Sequence, residues 1–135
     1  MKLYCDGACK GNNRLDVAKR VMRIVVTDED GVVLVERSLK RGTNNLAELW
    51  AIVEAMLFVR DCELPGPKEA DVCLDSQTAI AWANGRVSKT VKNYSGVMDL
   101  LSAMRALQKR VALKLTWVPR DENKAGHYIE ENYES

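Results

Sequence analysis

The spacing of apolar positions changes period along the chain and divides it into elements. Met1 to Cys5 reads as a short strand, Val21 to Thr27 as a second, and Gly31 to Leu39 as a third with β-branched residues. Asp28-Glu-Asp-Gly31 lies between the last two and has the makings of a hairpin turn. The first forty residues therefore predict an antiparallel meander. From Asn45 to Arg60, apolar residues recur at 46, 49, 50, 53, 56 and 57, which is helical spacing, and Leu64-Pro-Gly-Pro67 ends it. Ala70 to Leu74 predicts a strand, and Ser76 to Ala83 a short helix stopped by Asn84-Gly85. Ser95 to Lys109 predicts an amphipathic helix, Val111 to Val118 a last strand ended by Pro119, and Asp121 to Glu131 a last helix. Paired strands followed by alternating helices and strands imply a mixed sheet with helices packed on it, an α/β fold.

Composition narrows the class. The 135 residues fit one domain with a real core, and no apolar run approaches the roughly 20 residues needed to cross a bilayer. Lys2 followed directly by Leu3-Tyr4-Cys5-Asp6 lacks the apolar core of a signal peptide, so a cytoplasmic protein is expected. Cys5, Cys9, Cys62 and Cys73 form no C-x-x-C pair, and the single histidine, His127, is remote from them. Reduced cysteines, most of them in the core, are the simpler reading. A net charge of +1 is weak for a nucleic-acid binder, although Lys10, Arg14, Lys19, Arg20 and Arg23 cluster early and Arg86, Lys89 and Lys92 cluster mid-chain. Such clusters are usually solvated faces. Trp50, Trp82 and Trp117 sit in periodic apolar segments and are expected in the core rather than stacked on bases.

Three acids occupy expensive positions. Asp6 closes the first predicted strand and Asp75 the strand over 70–74. In open α/β sheets ligands bind beyond such strand ends. Glu48 shares its side of the helix with Ala51, Ile52 and Ala55, while Glu54 and Asp61 lie elsewhere around it and are expected to be exposed. A carboxylate on a packed face needs compensation, and no lysine or arginine stands one turn away to give it. Each acid has a plainer reading: Asp75 as a helix cap, Asp6 before Gly7 as a turn residue, Glu48 at a wet helix rim. Together they suggest one shared site. Hard oxygen donors without histidine or cysteine point to magnesium or manganese, and a pair of such ions suits phosphodiester hydrolysis.

At this point the motifs resemble a known family. Tyr4-Cys-Asp-Gly-Ala-Cys-Lys-Gly-Asn12, Thr43-Asn-Asn-Leu-Ala-Glu-Leu49, Leu74-Asp-Ser-Gln77, and Trp117-Val-Pro119 followed by Asn123-Lys-Ala125 are similar, in order and spacing, to the motifs of type 1 ribonucleases H. The resemblance runs from about Leu3 to Glu130. It implies a five-stranded mixed sheet whose first three strands are antiparallel. It also implies two divalent ions, Mg²⁺ or Mn²⁺, held by Asp6, Glu48 and Asp75. Cys9, Asn12, Asn44, Asn45 and Gln77 would line the minor groove of an RNA/DNA hybrid, with Thr43 and Asn12 near a DNA-strand phosphate. Asn44-Asn45 would equally suit a helix N-cap. A monomer that cuts the RNA strand, with no membrane partner, is the implied protein.

Two departures from the pattern stand out. The family's fourth acid follows the alanine of the last motif, where this chain has Gly126. Glu130, one turn later on the same face, is the candidate replacement, because helical side chains lean toward the N-terminus. Glu122 would lean away, and His127 lies about 100° round the helix. Many members of the family also carry a histidine-bearing loop before the last helix and a long basic element mid-chain; here only Pro119-Arg-Asp-Glu122 separates the last strand from Asn123, and Arg86 to Asn93 is a short remnant of the basic element. A catalytically silent nucleic-acid- or protein-binding module, and a nuclease of the same fold acting on DNA junctions, are the competing readings.

Overall fold

A computed structural model of the chain describes residues 1–10 and 20–133. Asn12, Arg14 and Lys19 lie outside the described residues. Five strands, β1 (Lys2–Lys10), β2 (Val21–Thr27), β3 (Val33–Lys40), β4 (Glu69–Leu74) and β5 (Ala112–Trp117), form one sheet in the order β3-β2-β1-β4-β5. The first three are antiparallel, and β4 and β5 run parallel to β1. The helices are α1 (Asn44–Asp61), α2 (Gln77–Ala83), α3 (Tyr94–Gln108) and α4 (Lys124–Asn132). Among the described residues no helix is long and apolar enough to cross a membrane.

Alternation along β1 divides the core in two. Leu3, Cys5 and Cys9 face a large cluster built with α1, α2 and α3, whereas Tyr4 and Ala8 face a smaller one with Val25 and with Ala125 and Ile129 of α4. Asp6 falls on the even-numbered side, with α4. Gly7 falls on the side of α1, and there the backbones meet. A Cβ on Gly7 would lie 2.2 Å from the carbonyl carbon of Ala47.

The hairpin forms as expected, with Asp28 Oδ1 accepting from the amides of Asp30 and Val32 and Gly31 at φ +84°. Helix α1 departs from the amphipathic reading. It is buried nearly all round, with Ala51, Ile52 and Ala55 as inaccessible as Leu49 and Met56. Glu54, expected to be exposed, is therefore buried at 5% accessibility. Arg37 on β3 compensates it, with Nε 3.2 Å from Glu54 Oε1, and Trp50 Nε1 donates to the same oxygen at 3.3 Å. Trp82 joins the core and Trp50 packs on its edge, but Trp117 is 48% exposed, because it is the last residue of the edge strand β5. All four cysteines are free; Cys5, Cys9 and Cys73 are buried and Cys62 is half-buried.

Candidate active site

Strand lengths place the acids. β1 runs on to Lys10 beside β2, so Asp6 is a mid-strand residue paired with Val25 rather than a strand end, and Gly7 is not in a turn. Toward β4, however, the ladder stops at Tyr4–Cys73. Asp6 thus overhangs the end of β4, where Asp75 immediately follows Leu74. Asp75 does not cap α2. Ser76 does, its Oγ accepting from the Ala79 amide at 3.0 Å, which leaves the Asp75 carboxylate available to the cleft. Thr43, rather than the asparagines after it, caps α1 by accepting from Leu46 N at 3.1 Å, and puts Glu48 in the helix's second turn.

The carboxylates meet around a residue that the sequence reading passed over. Arg120 stands in a single 3-10 turn (Arg120–Glu122) between β5 and α4. Its Nη1 lies 2.8 Å from Asp6 Oδ2 and 3.4 Å from Asp75 Oδ2, and its Nε lies 3.0 Å from Glu130 Oε1. Asn123 is equally central. Fully buried, it donates from Nδ2 to Asp75 Oδ1 at 2.7 Å and to the Cys5 carbonyl at 3.0 Å, while its Oδ1 caps α4 by accepting from the amides of Ala125 and Gly126. In sequence Asn123 stands out only as part of the last motif; both of its roles need the folded neighbourhood. Because α4 begins only at Lys124, Glu122 is not on its face.

The electrostatics are strained. Asp6 is 3% accessible, and burial raises its carboxyl pKa from 3.8 to about 6, against the pull of Arg120. Burial likewise raises Glu48 from 4.5 to about 7; a Ser76 hydrogen bond opposes the rise, and the charges of Asp6 and Asp75 add to it. Each acid is thus penalised for carrying charge, and one half-exposed guanidinium is a partial remedy.

Of the groove residues, Asn44 Oδ1 accepts from the Cys9 amide at 2.6 Å, joining β1 to the start of α1. Thr43, Asn44 and Asn45 share a depression with Trp82, Val91 and Lys92. The Cys9 thiol is buried against the Gly42 carbonyl, and Gln77 is exposed beside Trp117. Glu130 reaches the acidic centre only through Arg120, its side chain 58% exposed. At Gly126 a Cβ would stand 2.7 Å from Arg120 Nη1, so the guanidinium fills the space beside the position of the missing acid.

The donor set fits a hard divalent cation in kind, being carboxylate oxygens, and in charge, since a cation would offset the burial cost, and the smaller mutual repulsion, that lift Asp6 and Glu48. As the side chains stand, no three Asp, Glu, His or Cys among the described residues are arranged to hold one ion. Arg120 Nη1 lies between Asp6 and Asp75.

A family model described as reverse transcriptase-like matches residues 5–129. The fold is similar to that of RNase H1 from the halophilic archaeon Halobacterium salinarum, at TM-score 0.67 and 25% identity, covering 94% of this chain and 91% of that one. The N-terminal RNase H domain of a Mycobacterium tuberculosis protein, solved as a fusion with maltose-binding protein, gives 0.66 and 26%, covering 95% of each chain. LC11-RNase H1, solved in complex with an RNA/DNA hybrid, gives 0.62 and 26%, covering 90% of this chain and 87% of that one. The comparison with curated proteins returned no match.

Proposed function

Since the chain belongs to the reverse transcriptase-like family, in its ribonuclease HI-like group, we propose that it is a metal-dependent endoribonuclease that hydrolyses the RNA strand of RNA/DNA hybrids. The observation that carries this reading is the approach of Asp6 and Asp75 to one cationic atom, with the half-buried Glu48 carboxyl close enough to feel both. A fold whose acids served only packing would not keep Asp6 and Glu48 where each is costly to ionise, beside a third carboxylate. The hybrid-bound neighbour supports the choice of substrate.

In this reading Asp6, Glu48 and Asp75 hold Mg²⁺ or Mn²⁺, which when bound would lower the pKa of the attacking water and offset charge growing on the phosphate. Asn123 fixes the rotation of the Asp75 carboxylate, so that acid is aimed before substrate arrives. A water oxygen attacks phosphorus in line as the P–O3′ bond breaks. The products carry a 5′-phosphate and a 3′-hydroxyl, the latter taking up a proton. Cys9, Asn12, Asn44, Asn45 and Gln77 line the minor groove, where amides suit 2′-hydroxyls and base edges. Thr43 and Asn12 lie near a DNA-strand phosphate. Glu130 positions Arg120 rather than touching substrate.

The deciding experiment is cleavage of an end-labelled hybrid with Mg²⁺ or Mn²⁺, run beside Asp75→Asn and beside RNA/RNA and DNA/DNA duplexes. Cutting of the hybrid alone, lost in the variant, is expected; an uncut hybrid at every ion concentration would reject the reading. A silent binding module is the second possibility. The guanidinium among the acids favours it, and it would retain hybrid affinity without turnover.

Two smaller effects follow from the surface. Exposed Arg86, Lys89 and Lys92 are the described cations of the shortened basic element. With about three phosphates neutralised, log affinity against log salt should fall with a slope of about −2 to −3, and a slope near zero would remove them from the interface. Glu130→Gln should slow turnover only a few-fold, about what a solvent-exposed ion pair supports, with KM unchanged. Unaltered turnover would mean that Glu130 does not steady Arg120.

A further inference from the structure

Gly126 and Arg120 are two halves of one arrangement. A Cβ at 126 would begin 2.7 Å from Nη1 and 2.9 Å from Cζ of Arg120, so glycine leaves the guanidinium this place, and a larger residue would make its flexible end shift. Once admitted, it is tethered on two sides. Nη1 faces Asp6 Oδ2 at 2.8 Å and the Asp75 oxygens at 3.4 and 3.5 Å, and Nε faces Glu130 at 3.0 Å. A guanidinium keeps its charge at every accessible pH and can donate several N–H bonds in one plane, a geometry that matches phosphate oxygens as well as carboxylates. The position thus holds a permanent cation where the family pattern would place one more anion.

Like-charge repulsion then limits what else can enter. Asp6, Glu48, Asp75 and Glu130 together carry four negative charges when ionised, Glu130 being held on Arg120 Nε. A second divalent cation placed between Asp6 and Asp75 would lie against Nη1, a charge of like sign already 2.8 Å from Asp6 Oδ2 and 3.4 Å from Asp75 Oδ2. The second ion would also lack the carboxylate that an acid at 126 would have supplied.

We propose that Arg120 takes the place of one of the two cations expected for this fold, so that the centre loads a single divalent ion and the guanidinium meets the scissile phosphate on the Gly126 side. This rests on the nuclease reading above and departs from the two-ion expectation of the sequence resemblance. Arg120 is on this account a catalytic residue, and Gly126 is the substitution that makes room for it.

The test pairs an ion count with kinetics on the full chain. Mn²⁺ bound per chain is read from the loss of the free-ion EPR signal during titration of the protein. The Mn²⁺ order of single-turnover hybrid cleavage is measured alongside. One ion per chain and first-order dependence are expected. Arg120→Ala should lower kcat about 10²–10³-fold, the usual effect of removing one group that stabilises transition-state charge, with KM for the hybrid changed little. Arg120→Lys should recover part of the loss, and millimolar guanidinium should partly rescue Arg120→Ala. Two ions per chain, second-order dependence, or an Arg120→Ala protein that cleaves as fast as the parent would overturn the proposal. The last result would mark Arg120 as a plug that must leave. These failures stay distinct from failure of the nuclease reading, which would appear as bound Mn²⁺ with the hybrid left intact in parent and variant alike.

Discussion

Replacing Asp6 with asparagine is expected to stop hybrid cleavage and, in ion-free buffer at pH 8, to leave the fold more stable than the parent. The first half follows from its place: Asp6 is the acid nearest the cationic atom and is almost wholly inaccessible, so its loss should cost at least about 10²–10³-fold in turnover. The second half follows from the direction of the pKa changes. A carboxyl whose folded-state pKa lies above its unfolded value binds its proton more tightly when folded. The stability this provides is complete below about pH 4 and is lost as the pH rises through about 6 for Asp6 and about 7 for Glu48. Without divalent ions the parent should therefore weaken between pH 5 and pH 8, by roughly 1–1.5 kcal/mol from Asp6 alone. Asp6→Asn should remove that part of the slope, and Glu48→Gln its own. Urea melts with a chelator at both pH values would measure it. Equal parent stability at pH 5 and pH 8 would contradict the account, as would an Asp6→Asn protein that still cuts. Added Mn²⁺ should stabilise the parent far more than the variant, since an ion that binds only the folded centre shifts the equilibrium by mass action.

How much of this could be read from the sequence depends on the range of the interaction concerned. Strands β2 and β4 and helices α1 and α3 emerge within a residue or two of their apolar periods, because those periods record burial against the sheet. Glu48 is legible as an ionisable group on an apolar flank of its helix, and Asp6 and Asp75 as acids at predicted strand ends. Asp6 was misplaced to a strand end because Gly7-Ala-Cys-Lys10 has little apolar signal; pairing with β2, forty residues of meander folded back, carries the strand onward. Glu54 was misread because a helical period shows one buried face, whereas α1 is enclosed on nearly all sides and Arg37 comes from a different element. Arg120 was hidden for a similar reason. It is 114 residues from Asp6 and 45 from Asp75, in a four-residue connection that looked like mere linkage. The available clue was electrostatic: three clustered acids, a fourth missing, and an arginine in the segment leaving the strand next to β4.

The other large effect is expected at Gly7, and it is structural before it is catalytic. A Cβ there would lie 2.2 Å from the Ala47 carbonyl carbon, 2.3 Å from its oxygen and 2.6 Å from the Glu48 amide nitrogen, all backbone atoms and all far inside ordinary contact. No side-chain rotation relieves such a clash, so Gly7→Ala must push α1 away from β1 by about 1 Å or more. Overpacking of well-filled cores costs about 1–3 kcal/mol, and a backbone-to-backbone clash belongs at or above the top of that range. For a chain of this size that corresponds to a fall in Tm of about 10 °C or more. Because the displaced atoms include the Glu48 amide, the shift also separates Glu48 from Asp6, the residue just before Gly7. A misplacement of about 1 Å can cost about 10²-fold in rate. Turnover measured at 10–20 °C, where the variant remains folded by circular dichroism, should therefore be far lower than its folded fraction accounts for. A variant that melts within a few degrees of the parent, or that keeps full activity per folded molecule, would show that β1 and α1 tolerate separation. The spacing of Asp6 and Glu48 would then not be what this glycine protects.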